Sequence, residues 1–301
     1  MLPTRTPRSF ALLSILAIVT LGACAGDSAN DRPETWTLPD GSSGLPDGWG
    51  GGGGPLVYPD SSGGPAVDSG GGSSVKDLER TLSFTGPGGG EWLHVVRRAS
   101  GATAASVLTV NRHATHAPPY QSKLVSNVLP GQCKSWHLTG TVSGGDPFTT
   151  TVTYCVDGDQ VTISHTSAIN GTPSGTTQQH GAVSLAPDAA APYERSLHFV
   201  GTGGTEWLHL ASQAAGETVV NVRTISYSAA LVPPVRDRTV SDIAPLACKI
   251  DLLTGTFAVG GGSFSTELKH CRTANAVVIE HAATSGGTNS AWQAHGSIPL
   301  H

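Results

Sequence analysis

The sequence predicts an all-β protein: two tandem antiparallel β-sandwich or small-barrel domains, each with one hairpin-closing disulfide. Three observations carry this: an internal repeat at a fixed offset, period-two hydrophobic patterns between Gly, Pro and Asp breaks, and cysteine pairs centred on glycine-rich turns.

The repeat is read by laying Gly86-Pro87-Gly88-Gly89-Gly90-Glu91-Trp92-Leu93-His94 on Gly201-Thr202-Gly203-Gly204-Thr205-Glu206-Trp207-Leu208-His209, an offset of 115. The same offset carries Pro118-Pro119 onto Pro233-Pro234, Cys133-Lys134 onto Cys248-Lys249, and Leu138-Thr139-Gly140-Thr141 onto Leu253-Thr254-Gly255-Thr256. One inserted residue later, Cys155 and His165 meet Cys271 and His281; the offset then returns and His180-Gly181 meets His295-Gly296. So many matches in order imply a duplication. The copies span residues 76–187 and 188–301, and the short joint around Pro187 to Pro192 predicts that they touch.

Within each copy the pattern is that of strands. Val161, Ile163 and His165 alternate with Thr162 and Ser164, and Val277, Ile279 and His281 repeat the alternation. Seven or eight short strands per copy are expected. Residues 211–222 alone resemble a helix, and the matching stretch Ala99-Ser100-Gly101-Ala102 argues for a turn there. Cys133 and Cys155 share a midpoint at Gly144-Gly145; Cys248 and Cys271 are centred beside Gly260-Gly261-Gly262. Directly opposed residues of an antiparallel hairpin share one midpoint, so the expected pairs are Cys133–Cys155 and Cys248–Cys271. Each should stabilise by about 3 kcal/mol through its loop. No C-x-x-C spacing points to metal.

Charged residues are only 13% of the chain, and Gly and Pro number 39 and 20. Residues 24–75 hold seven acids against the single base Arg32, whereas 76–301 hold 15 acids and 14 bases. A near-neutral folded part has no counterion-release drive toward nucleic acid, so no nucleic-acid partner is expected. Residues 25–75 carry Gly50 to Gly54, Gly70 to Gly72 and scattered Pro, Ser and Asp without hydrophobic periodicity. This reads as a disordered tether of about 40 Å mean span. Trp36, Trp49 and Leu56-Val57-Tyr58 read as stray linker aromatics rather than a binding motif.

At the N-terminus, Arg5 and Arg8 precede an apolar run from Phe10 to Leu21, too short for a spanning helix and suited to a signal-peptide core. Leu21-Gly22-Ala23-Cys24 follows, and it resembles the lipobox of bacterial lipoproteins. The resemblance covers residues 1–24. It implies cleavage before Cys24, a diacylglyceryl group on its thiol, and a membrane partner through acyl chains. Ala25, where Asp would signal retention, implies the outer membrane of a Gram-negative envelope.

No nucleophile elbow, Walker loop or His-Glu-x-x-His helix is present. The Gly86 to Gly90 run lacks a lysine and a following helix and reads as a turn; Asp157-Gly158-Asp159 reads likewise. The residues kept in both copies are Glu91/Glu206, Trp92/Trp207, His94/His209, His165/His281 and His180/His295. Strand parity places His180 and His295 opposite Val183/Leu185 and Ile298/Leu300, hence outward. With Leu93 facing in, Trp92 and His94 fall on the outer face or between the copies, and His165 points inward near a strand end.

Three readings follow. In a ligand-binding reading, Trp92, His94, His180 and Glu91, with Trp207, His209, His295 and Glu206, line a face for glycan or peptide. In a metal reading, His94, His180 and Glu91 hold zinc, with His209 and His295 in the second copy. In a structural reading, Trp92 is a core anchor and the histidines hold turns. The expected function is non-catalytic binding or adhesion by a lipid-anchored envelope protein, with a polysaccharide or protein partner and no cofactor. The alternatives are a metal-dependent hydrolase and a purely structural envelope component.

Overall fold

The computed structural model describes residues 36–37, 43–44, 77–201 and 204–300. The signal segment, the lipidation candidate Cys24 and most of the tether lie outside the described residues. Within the stretch read as tether, β1 (Trp36–Thr37) and β2 (Ser43–Gly44) form a two-residue ladder. No helix among the described residues is long and apolar enough to cross a membrane.

The first copy contains β3 (Leu78–Thr85), β4 (Glu91–Arg98), β5 (Ala105–Arg112), β6 (His116–Ala117), β7 (Tyr120–Val128), β8 (Cys133–Val142), β9 (Pro147–Asp157), β10 (Gln160–Ile169), β11 (Thr172–Pro173) and β12 (Gln178–Ser184). The second repeats them as β13 (Tyr193–Val200), β14 (Glu206–Gln213), β15 (Val220–Tyr227), β16 (Leu231–Val232), β17 (Val235–Ile243), β18 (Cys248–Phe257), β19 (Ser263–Arg272), β20 (Ala276–Ser285), β21 (Thr288–Asn289) and β22 (Gln293–Pro299). All pairings are antiparallel. In each copy a four-stranded sheet, β3-β4-β5-β7 or β13-β14-β15-β17, faces a six-stranded one built on β8-β9-β10 or β18-β19-β20. Stretch 211–222 is the end of β14, a turn and the start of β15, so the turn reading holds there.

Each copy is a sandwich with its own core. Trp92, Val96 and Val107 from one sheet meet Leu138, Tyr154 and Ile163 from the other, and Phe199, Trp207 and Val222 meet Leu268, Ile279 and Ile298. The disulfides Cys133–Cys155 and Cys248–Cys271 link directly opposed residues of the β8–β9 and β18–β19 hairpins.

A third cluster joins the copies: Leu93, Val95, Leu108 and Val110 pack on Leu208, Leu210 and Ile225. The four-stranded sheets are therefore buried on both faces and stack back to back. Glu194 accepts hydrogen bonds from the Thr81 N–H (2.7 Å) and hydroxyl (3.0 Å), and Ser196 bonds the carboxyl of Glu79. Glu79 and Thr81 are the repeat equivalents of Glu194 and Ser196, so the contact is isologous: i meets j, and the equivalent of j meets the equivalent of i. Tyr120 stacks on Tyr227 (4.6 Å between centroids), and Arg112 pairs with Asp237 (2.9 Å). The duplicated halves thus pack as the subunits of a two-fold dimer do.

Candidate functional site

Two sequence-based orientations are overturned here. Trp92 and His94 point into the copy-1 core, while Leu93 and Val95 point at the other copy. The alternation of β4 was real, but with no solvent face it could not say which side was which. His180 and His295, expected outside, are buried as well. The β10–β12 ladder pairs Ile163 with Gly181 and then Ser164 with Gln179, leaving His180 as the extra residue of a β-bulge; β20–β22 does the same around His295. A bulge shifts strand parity by one. Gly181 and Gly296 follow at φ 135° and 132°, backbone that a side chain disfavours.

The bulge completes a chain of rings. Thr109 Oγ1 lies 2.7 Å from Tyr154 Oη and 2.8 Å from His94 Nδ1. His94 Nε2 is 2.7 Å from His180 Nδ1, and His180 Nε2 is 2.5 Å from His165 Nδ1. Among the described residues Tyr154 Oη has Thr109 as its partner, so its proton is satisfied when it donates there. Thr109 then donates to His94 Nδ1, His94 Nε2–H to His180 Nδ1, and His180 Nε2–H to His165 Nδ1. Every step pairs one donor with one acceptor, and His165 Nε2–H ends the chain. The second copy repeats it: Thr224 Oγ1 to His209 Nδ1 at 2.9 Å, His209 Nε2 to His295 Nδ1 at 2.7 Å, and His295 Nε2 to His281 Nδ1 at 2.6 Å. His270 stands where Tyr154 stands, 3.4 Å from Thr224 Oγ1.

Such a chain requires neutral imidazoles. Burial, with the adjacent rings, holds His94 and His209 well below the ordinary histidine range. The same causes bring His180 and His295 to about 3; burial also lowers His165, His281 and His270, the last to about 4. Phe84 and Phe199 stack on His180 and His295 at 4.2 Å. The nitrogens of the candidate zinc ligands are thus directed at one another rather than at a common point. Glu91 pairs with Arg112 instead, and Glu206 accepts from Ser122 of the other copy (3.0 Å). Among the described residues no group of three or more His, Cys, Asp or Glu is placed to hold a metal ion.

The copy-1 sandwich is open at the end that carries the Gly86–Gly90 turn. A cleft of about 230 Å3 is bounded by the Gly86–Gly90 turn, Trp92, His165 and Gln178 on one side and by Asn111, His113 and His116 on another. His113 and His116 stack face to face at 3.7 Å, and His116 lies 4.2 Å from the ring of Phe148. Burial, then the neighbouring His113, brings His116 to about 4. His116 Nδ1 and Gln178 Oε1 are buried without hydrogen-bond partners among the described residues. Among the described residues no Asp, Glu, Lys or Arg lines the cleft.

The equivalent positions in copy 2 are different. Asn111, His113, His116 and Val142 become Ser226, Ser228, Leu231 and Phe257. Phe257 packs against Phe264 (5.5 Å), and Arg236 lies over the same ring (4.6 Å). Asn111, His113 and His116 escaped the sequence reading because it favoured residues kept in both copies; the usable signal was polar or aromatic residues present in one copy alone, whereas Gln178 is kept as Gln293 and its place in the cleft follows only from the fold. No family model, curated protein or solved structure matches this chain.

Proposed function

We propose that this is an envelope binding protein, held to the membrane by a lipid on Cys24, whose first β-sandwich captures a neutral saccharide in the cleft beside His113 and His116. One observation carries the reading: the cleft lining is aromatic and polar, has no charged side chain among the described residues, and differs from copy 2 at Asn111, His113, His116 and Val142 while the core beneath is duplicated. Stacked rings suit the apolar face of a sugar, and amide, hydroxyl and imidazole groups suit its hydroxyls. The unpartnered His116 Nδ1 and Gln178 Oε1 are hydrogen-bonding groups that a ligand would satisfy. An uncharged lining offers no ion pair to phosphate or carboxylate.

The test is retention of the full chain on immobilised neutral hexoses and N-acetylhexosamines. It is repeated with a variant carrying the copy-2 residues: Asn111→Ser, His113→Ser, His116→Leu and Val142→Phe. Retention lost in the variant supports the reading; retention unchanged, or none by the parent chain, refutes it. The anchor is tested separately: Cys24→Ser should release the protein from the membrane fraction.

A further inference from the structure

We propose that the ligand is a polymer whose chain continues out of the cleft and across the outer face of the copy-1 six-stranded sheet. This rests on the saccharide reading above. The segment Ser174 to Gln178 runs between the cleft and a shallower recess of about 620 Å3, and Ser167 lines both. The recess is walled by Thr149, Thr151, Thr166, Thr176 and Thr177.

Beyond it the face is a grid of hydroxyls. The register sets Ser135, Thr153 and Ser164 in one cross-strand row, and His137, Thr151 and Thr166 in the next. Rows of this kind repeat at about 4.8 Å between strands and about 6.7 Å along them. The first spacing is close to the length of one pyranose unit. Ser135 bonds Thr153 (3.1 Å) and His137 Nδ1 bonds Thr151 (3.0 Å), so these side chains hold fixed rotamers. Threonine presents a methyl and a hydroxyl together, matching the alternating C–H and O–H groups of a sugar.

The outward positions of β8, β9 and β10, from Cys133 to Thr139, Thr149 to Cys155 and Thr162 to Ala168, include no Asp, Glu, Lys or Arg. An ordinary domain surface is roughly one-quarter to one-third charged. The copy-2 equivalents of Ser135, His137, Thr151, Thr153 and Ser164 are Ile250, Leu252, Glu267, Lys269 and Glu280. Lys269 there pairs with Glu280 (3.4 Å) and lies over Trp292 (5.4 Å). The neutral hydroxyl face therefore lies on the same copy as the cleft described above.

The experiment measures affinity of the full chain for neutral hexose and N-acetylhexosamine oligomers of two and of six units. The sixfold oligomer should bind at least tenfold tighter than the dimer of the same sugar. Thr151→Glu and Thr166→Glu should remove that gain and leave dimer binding unchanged; the isosteric Thr151→Val and Thr166→Val, which disturb folding least, should reduce it several-fold. His113→Ala should weaken both lengths. Equal affinity for both lengths, or hexamer binding untouched by the face variants while His113→Ala weakens it, overturns the polymer track and leaves the cleft reading standing. No binding of either length overturns both.

Discussion

The two copies share a skeleton and differ at their surfaces. The Trp92/Trp207 anchor, the Thr–His–His–His chain, the bulge before Gly181 and Gly296 and the hairpin disulfide occur in both. Asn111, His113, His116 and Val142 at the cleft rim and the neutral outer sheet face do not. Histidine retention was the reason to suspect a site there, and burial turns that inference around. A polar network inside a β-sandwich must be complete or it is costly, so it is kept wherever the fold is kept. A binding surface can be lost from one copy while the other retains it.

Acid should break this shared skeleton with the largest effect. His94, His180, His209, His270 and His295 are neutral in the fold and held far below the 6.5 of an unfolded histidine. The unfolded chain binds more protons below about pH 6.5, so stability falls as pH falls, by about 2 kcal/mol at pH 5 for each of His180, His270 and His295 and in the same direction for His94 and His209. Glu79 acts oppositely: burial pushes it up to about 7, so its contribution is present below 4.5 and lost as pH rises through 7. The histidines outnumber it, and denaturant melts should show stability dropping steeply from pH 6.5 toward 4. A flat profile would mean that the rings are not buried neutral.

Single substitutions sharpen the comparison. His94→Ala and His209→Ala each leave a threonine and a histidine unpaired in a core and should cost about 3–5 kcal/mol in urea unfolding. Near-equal costs in the two copies are expected, because the network is structural in both; a much larger effect in copy 1 would contradict that. Removing either disulfide should cost about 3 kcal/mol, again matched between copies. At the small end, His113→Ala should change stability by less than about 0.5 kcal/mol, as half-buried rim positions usually do, while weakening saccharide binding several-fold.

Much of the fold was legible from the sequence. The repeat, the strand patterns and the shared cysteine midpoints lead to the sandwiches, the hairpin register and the two pairings found. Orientation was not legible for β4, because a strand covered on both sides has no polar face to mark the outside. His180 and His295 were misplaced because one bulge residue reverses parity; the glycine following each histidine in both copies was the available clue. The cleft was illegible because Gly86, the Asn111–His116 stretch and Gln178 are far apart in the chain and are brought together only by the two-sheet arrangement.

The most direct test is the stoichiometry of saccharide binding to the full chain by calorimetry. One site per chain is expected, lost when the copy-1 cleft is given the copy-2 residues Ser, Ser, Leu and Phe at positions 111, 113, 116 and 142. Two equivalent sites per chain, or one site indifferent to that exchange, would contradict it.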